Sequence, residues 1–139
     1  MKQLVFVFGT LKEGFPNFAT NGGVRVPGNF TTIERYPFYL VGTRCSPWLV
    51  DMPGRGEHIA GQVFEVDAAT LEAMDQLERV SEPDGYRRVC VEVASDAHVE
   101  PLTAYAYLKQ TRHFDPRDVC LGPLSEYTLE HAALYRPRA

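Results

Sequence analysis

The sequence predicts an α+β fold: a small, strongly curved mixed β-sheet or barrel with flanking helices. Short apolar and alternating segments read as about six or seven strands against two or three helices, and strands dominate both halves of the chain. The connections between them are too short for regular βαβ alternation. A length of 139 residues fits one domain, 1–139, and 45% hydrophobic with 23% charged residues is ordinary globular composition, so the chain is expected to fold alone.

Leu4 to Phe8 is a continuous apolar run closed by Gly9, the pattern of a central strand buried on both faces. A loop follows, Gly9-Thr10-Leu11-Lys12 with Gly14, Pro16 and Asn17, in which Asn17 is placed to open a short helix. From Val24 to Asp51 short apolar stretches are separated by Gly28, Pro37, Gly42 and Pro47, the punctuation of several short strands. Pro53-Gly54-Arg55-Gly56 is a turn, and Ile59 to Val66 is another strand. Asp67 caps a helix over Ala68 to Glu78 that stops before Pro83-Asp84-Gly85. Arg88 to Ala94 and Thr103 to Lys109 alternate as half-buried strands, and Ser125 to Leu134 reads as a terminal helix with Ser125 as its cap.

The charge balance excludes some functions. With 14 basic and 18 acidic residues the net charge is -4, which argues against nucleic acid as a partner. The first apolar run ends at Gly9, short of a signal peptide's core, and no segment reaches the roughly 20 apolar residues that span a bilayer. A soluble cytoplasmic protein is expected. The cysteines Cys45, Cys90 and Cys120 form no C-x-x-C pair, and His58, His98, His113 and His131 lack metal-site spacing, so neither a disulfide framework nor a metal is expected.

The helix makes a statement about one carboxylate. At about 100° per residue, Leu71, Met74 and Leu77 define its apolar stripe, and Glu78 falls roughly 40° from the stripe's centre. Asp75 lies at the rim, about 100° away, with Glu72, Gln76 and Arg79 toward solvent. An inward Glu78 must be paired, hydrogen-bonded or protonated, and a raised pKa suits a general base that later returns its proton. Two other placements compete: an ion pair with Arg87 or Arg88, or a side chain bent out to water as the helix frays. No G-x-S-x-G elbow or triad spacing is visible, and Cys45 reads as a small core residue. Tyr105 and Tyr107 read as strand packing, and Lys12 as a solvated loop residue.

The run Val5-Phe6-Val7-Phe8-Gly9-Thr10-Leu11-Lys12, with Gly14, Pro16 and Asn17, resembles the first strand and substrate loop of the γ-glutamylcyclotransferase-like superfamily, in particular its γ-glutamylamine cyclotransferase branch. Tyr36-Pro37, Pro47-Trp48-Leu49, Gly61-x-Val63-Phe64-x-Val66-Asp67, Leu71-x-x-Met74-Asp75-x-Leu77-Glu78, Tyr86-x-Arg88 and Tyr135-x-Pro137-Arg138 extend the resemblance over nearly the whole chain. It implies a small barrel-like mixed sheet with flanking helices. It also implies cyclisation of a γ-glutamyl group, with release of 5-oxoproline and an amine or amino acid and no cofactor. By position, Glu78 would be the general acid/base and Phe8, Gly9, Thr10 and Leu11 the substrate loop, with Tyr86 and Tyr135 as further pocket residues. The resemblance departs at Phe8, where the family usually carries Tyr, so a phenolic hydrogen bond is lost. Two alternatives accompany the enzyme reading: a non-catalytic small-metabolite binding domain of the same fold, and removal of a γ-glutamyl group from a larger biosynthetic intermediate.

Overall fold

A computed structural model describes residues 2–138. In chain order the strands are β1 (Gln3–Val7), β2 (Val24–Arg25), β3 (Phe30–Tyr36), β4 (Phe38–Val41), β5 (Ser46–Leu49), β6 (Glu57–Val66), β7 (Arg87–Ala94), β8 (Leu102–Leu108) and β9 (Val119–Leu121). Helix α1 (Ala68–Leu77) lies between β6 and β7, and α2 (Leu129–Ala132) follows β9. Asn17 does open a short helix, a single 3₁₀ turn over Phe18–Thr20.

The sheet closes. Its strand order is β1-β8-β7-β3-β6-β2, and β1 also pairs with β6, so β1, β8, β7, β3 and β6 form a five-stranded barrel. β1 is the central strand expected from its apolar run: it pairs antiparallel with β6 (Val5 opposite Phe64) and parallel with β8 (Val5 opposite Tyr105). Closure leaves β1 no free edge and covers both its faces, which is why Val5, Phe6 and Val7 are all buried. Phe6, Phe30, Ile59, Val63, Val93 and Ala106 fill one side, and Val5, Phe64, Val66 and Met74 join β1, β6 and α1 on the other. Burial of each larger side chain contributes about 1.5–3 kcal/mol relative to leaving it in water. A second, three-stranded sheet, β5-β4-β9, packs beside the barrel.

The sequence reading needs two corrections here. The terminal helix is much shorter than Ser125 to Leu134, and its cap is Thr128, whose side chain and backbone bond reciprocally with His131. Ser125 is not a cap: its carbonyl accepts the Ala60 N–H at 2.9 Å, and the extended stretch around it inserts Tyr127 fully into the core. Tertiary pairing thus overrides the helical periodicity of this segment. β8 is also covered on both faces, because Tyr107 is only 4% exposed and packs with Val5, Met74 and Tyr86.

Candidate active site

A cavity of about 210 Å³ opens where the chain leaves β1. Its wall includes Phe8, Gly9, Thr10 and Leu11, and Glu78, Tyr86 and Tyr135 face the same space. Every residue singled out from the sequence as a site candidate therefore borders one cavity.

The loop is shaped by its own backbone. The Lys12 N–H donates to the Gly9 carbonyl at 3.1 Å and the Asn17 N–H to the Thr10 carbonyl at 2.8 Å, while Asn21 Nδ2 donates to the Leu11 carbonyl at 3.1 Å. The three carbonyls are thereby occupied. Among the described residues the N–H groups of Gly9, Thr10 and Leu11 have no partner, so this loop beside the cavity carries three consecutive unused donors. Gly9 is needed for packing: a Cβ there would lie 2.9 Å from Pro47 Cγ, closer than carbon atoms approach. Asn17 Nδ2 bridges Thr10 Oγ1 at 2.8 Å and the Tyr135 hydroxyl at 3.3 Å, joining the loop to the closing segment of the chain.

Glu78 sits where α1 ends. It is the C-cap, and the helix stops in a Schellman motif: the Arg79 N–H donates to Gln76 and the Val80 N–H to Asp75. The motif needs a left-handed residue, and here that residue is Arg79 at φ +56° rather than glycine. The chain then loops back, and the Tyr86 N–H donates to the Glu78 carbonyl at 3.0 Å. Gly85 permits this return, since a Cβ at that position would strike the Arg79 carbonyl. Two residues eight apart are thus delivered to one cavity.

Glu78 keeps partial solvent exposure, as a group lining an open cavity must, but protein surrounds its carboxyl closely. Burial raises its pKa to about 7, against the opposing pull of the Lys109, Arg138 and Arg44 charges. The carbonyl end of α1 acts in the same direction as burial. Arg88 does not pair with Glu78. It binds Asp75 at 2.7 Å, and the same carboxylate accepts the Tyr107 hydroxyl at 2.7 Å, so the rim acid fixes both neighbours and leaves Glu78 unpaired among the described residues. The Tyr86 hydroxyl donates to the Pro47 carbonyl at 2.8 Å, and burial, followed by the charge of Glu78, holds its pKa well above the usual phenol value.

Several cavity residues were not assigned a role from the sequence. Tyr107, read as packing, reaches the cavity beside Leu77, and Asn17, Ser46 and Pro47 also line it. Arg44 comes from the β4–β5 turn, where nothing in the local sequence marks it, and Arg138 from the Tyr135-x-Pro137-Arg138 stretch. Lys12, expected in solvent, is 4% exposed: its ammonium donates to the Tyr127 carbonyl and lies 4.3 Å from the Phe15 ring centroid. Phe8 packs edge-on against Phe38 at 5.4 Å, so its ring forms a wall. Among the described residues no three His, Cys, Asp or Glu side chains converge to hold a metal ion, and no helix is long and apolar enough to cross a membrane.

A five-stranded closed barrel with a carboxyl of raised pKa in the same cavity as a donor-rich loop defines a small-molecule site on a small β-barrel. The family described as "Gamma-glutamyl cyclotransferase, AIG2-like" matches residues 5–128, and the chain belongs to that family. It is 36% identical to the gamma-glutamylaminecyclotransferase of Bos taurus over 96% of this chain and 82% of that protein. To the Homo sapiens protein of the same name it is 30% identical, over 97% of each. The crystal structure of an aig2-like protein from Mus musculus superimposes with a TM-score of 0.82 at 28% identity, covering 99% of this chain and 97% of that one.

Proposed function

We propose that the chain is a γ-glutamylcyclotransferase that converts a γ-glutamyl amine or γ-glutamyl amino acid to 5-oxoproline and the free amine. The observation that carries this reading is the common cavity of Glu78 and the Gly9–Leu11 loop. The substrate brings its own nucleophile. Its α-amine attacks the γ-carbonyl carbon, a new C–N bond closes the five-membered lactam, and the original amide C–N bond breaks. No covalent enzyme intermediate or cofactor is required by this chemistry. Glu78 takes a proton from the α-ammonium and delivers it to the departing nitrogen; a pKa near 7 lets one carboxyl serve both steps at neutral pH. The unused loop N–H groups stabilise the oxyanion that develops on the γ-carbonyl oxygen. Membership of the family and the names of the bovine and human relatives support the same reaction class.

The test is to incubate the purified protein with γ-glutamyl-lysine and γ-glutamyl-alanine and to follow 5-oxoproline. Product from the wild type and none from a folded Glu78→Gln variant is the expected outcome. Thermal stabilisation by these compounds without turnover would instead make the chain a binding domain, the reading that Phe8 in place of the family's Tyr brings forward. Turnover confined to bulky leaving groups would indicate a larger natural substrate.

A further inference from the structure

The β4–β5 turn and β9 bring together two thiols that the cavity chemistry does not use. Cys45 lies in the turn and Cys120 on β9. Val41 faces Val119 and Leu40 faces Leu121, so Cys120 is the extra residue of a β-bulge, a device that re-aims a side chain. Here the side chain meets the turn: Cys120 Sγ donates to the Gly42 carbonyl at 2.9 Å, and the Cys45 N–H donates to that same oxygen at 3.1 Å. We propose that Cys45 and Cys120 are a redox modification site, which a small disulfide oxidises to one intramolecular disulfide, shifting the β4–β5 turn and with it the wall of the Glu78 cavity.

The two thiols are neighbours: what burial Cys120 has, and then the Cys45 thiol beside it, push the Cys120 thiol's pKa up. Their exposure is unequal. Cys120 is exposed and Cys45 is half-buried against the core, which assigns the steps of thiol–disulfide exchange. The Cys120 thiol loses its proton, attacks one sulfur of the small disulfide and releases the first small thiol. The Cys45 thiol loses its proton, attacks the Cys120 sulfur of the mixed disulfide and releases the second. One S–S bond breaks, one forms, and the two departing thiolates take up the two protons. The cavity wall is coupled to this bond. Cys45 holds a left-handed φ of +50°, costly for a residue with a Cβ, so the turn keeps its shape only through its contacts. Oxidation removes the proton that Cys120 gives to Gly42. Arg44 and Ser46, on either side of Cys45, both line the Glu78 cavity. The Arg44 carbonyl also accepts the Arg136 N–H at 2.9 Å, which ties the segment of Tyr135 and Arg138 to the same turn.

The experiment treats the full chain with oxidised glutathione, in a Cys90→Ser background that prevents links between molecules through the exposed Cys90. Mass spectrometry should find the loss of two hydrogen atoms and a peptide linking Cys45 to Cys120, both reversed by dithiothreitol. On oxidation kcat/KM for γ-glutamyl-alanine should fall by about tenfold and recover on reduction, since moving a positioning wall by about 1 Å costs up to about a hundredfold. Cys120→Ser, at an exposed position, should keep the reduced activity and lose the response. A glutathione adduct without the internal link, or no oxidation, overturns the inference. So does a linked protein whose kcat/KM stays within about twofold of the reduced form, and either result leaves the cyclotransferase reading standing. The bond itself does not rest on that reading. Should the reduced protein release no 5-oxoproline, the cyclotransferase reading falls, and the emission of Trp48, the chain's single tryptophan, on β5, decides the coupling. A change on oxidation that dithiothreitol reverses supports the shift of the turn, and unchanged emission overturns it.

Discussion

Replacing Glu78 by Gln separates a structural carboxyl from one held at a cost for chemistry. In the folded cavity the Glu78 carboxyl keeps its proton up to about pH 7, against an ordinary value of 4.5. Between these two values the folded chain binds a proton that the unfolded chain has released, so folding stability falls as pH rises through that window. Each pH unit is worth about 1.4 kcal/mol, so the ionised carboxylate destabilises the fold above pH 7 by at most about 3 kcal/mol, and below pH 4.5 it has no such effect. Gln has nearly the same shape and no charge at any pH. Chemical denaturation should therefore find Glu78→Gln more stable than wild type by about 3 kcal/mol at pH 8, but by less than about 1 kcal/mol at pH 5. For a domain of this size the pH 8 difference is roughly 10 °C in Tm. The same variant should release no 5-oxoproline. A stability difference that does not change with pH, or a variant less stable at pH 8, would refute the burial argument and with it the general-base assignment.

Four other outcomes follow from the same geometry. The kcat/KM of the wild type should rise through about pH 7 as the Glu78 base form appears, read from a pH profile of 5-oxoproline release. Asp75→Asn weakens bonds to Arg88 and Tyr107, and should cost about 1–3 kcal/mol in denaturation and lower kcat by loosening the Tyr107 wall. Gly9→Ala forces a Cβ against Pro47, so about 1–3 kcal/mol of stability and a raised KM are expected. Lys12→Met leaves the Tyr127 carbonyl without its donor and should lower Tm at a cost of about 1–3 kcal/mol, with kcat per folded molecule retained.

Much of the barrel was legible because its strands obey simple periodicities. The unbroken run at Leu4 to Phe8 reports a strand with no solvent face, and β1 indeed pairs on both sides. Val89, Val91 and Val93 alternate because one face of β7 looks outward, and the outward Cys90 and Glu92 are exposed. Helical angle turned Glu78 inward but left an ion pair with Arg87 or Arg88, or a side chain bent out to water, open; the structure puts it on the cavity wall without an ion-pair partner among the described residues. What escaped was everything set by distant pairing. Nothing near Arg44 signals that its turn will border the Glu78 cavity, because that contact is made by docking the β5-β4-β9 sheet against the barrel. Lys12 looks like a loop lysine until the extended segment at Tyr127 covers it. Tyr107 alternates with alanines as packing residues do, and only the arrival of Asp75 from α1 gives its hydroxyl a partner.

The end of α1 shows how the local and the distant combine. A helix of this kind ordinarily closes its Schellman motif on glycine, and a non-glycine residue in the left-handed region costs about 1–2 kcal/mol. Arg79 bears that cost, offset in part by its ion pair with Asp84 at 3.3 Å. The turn it makes sends the chain round Gly85 and returns Tyr86 to the Glu78 carbonyl, so the backbone on both sides of the carboxyl is fixed by hydrogen bonds. The side chain itself has none among the described residues. A group meant for stability would have the reverse arrangement, with its charge paired as Asp75 is and its backbone free to fray. Rigid support around an unpaired acid is what proton transfer to and from a bound amine demands, since the carboxyl must be held in reach without being neutralised by a permanent partner.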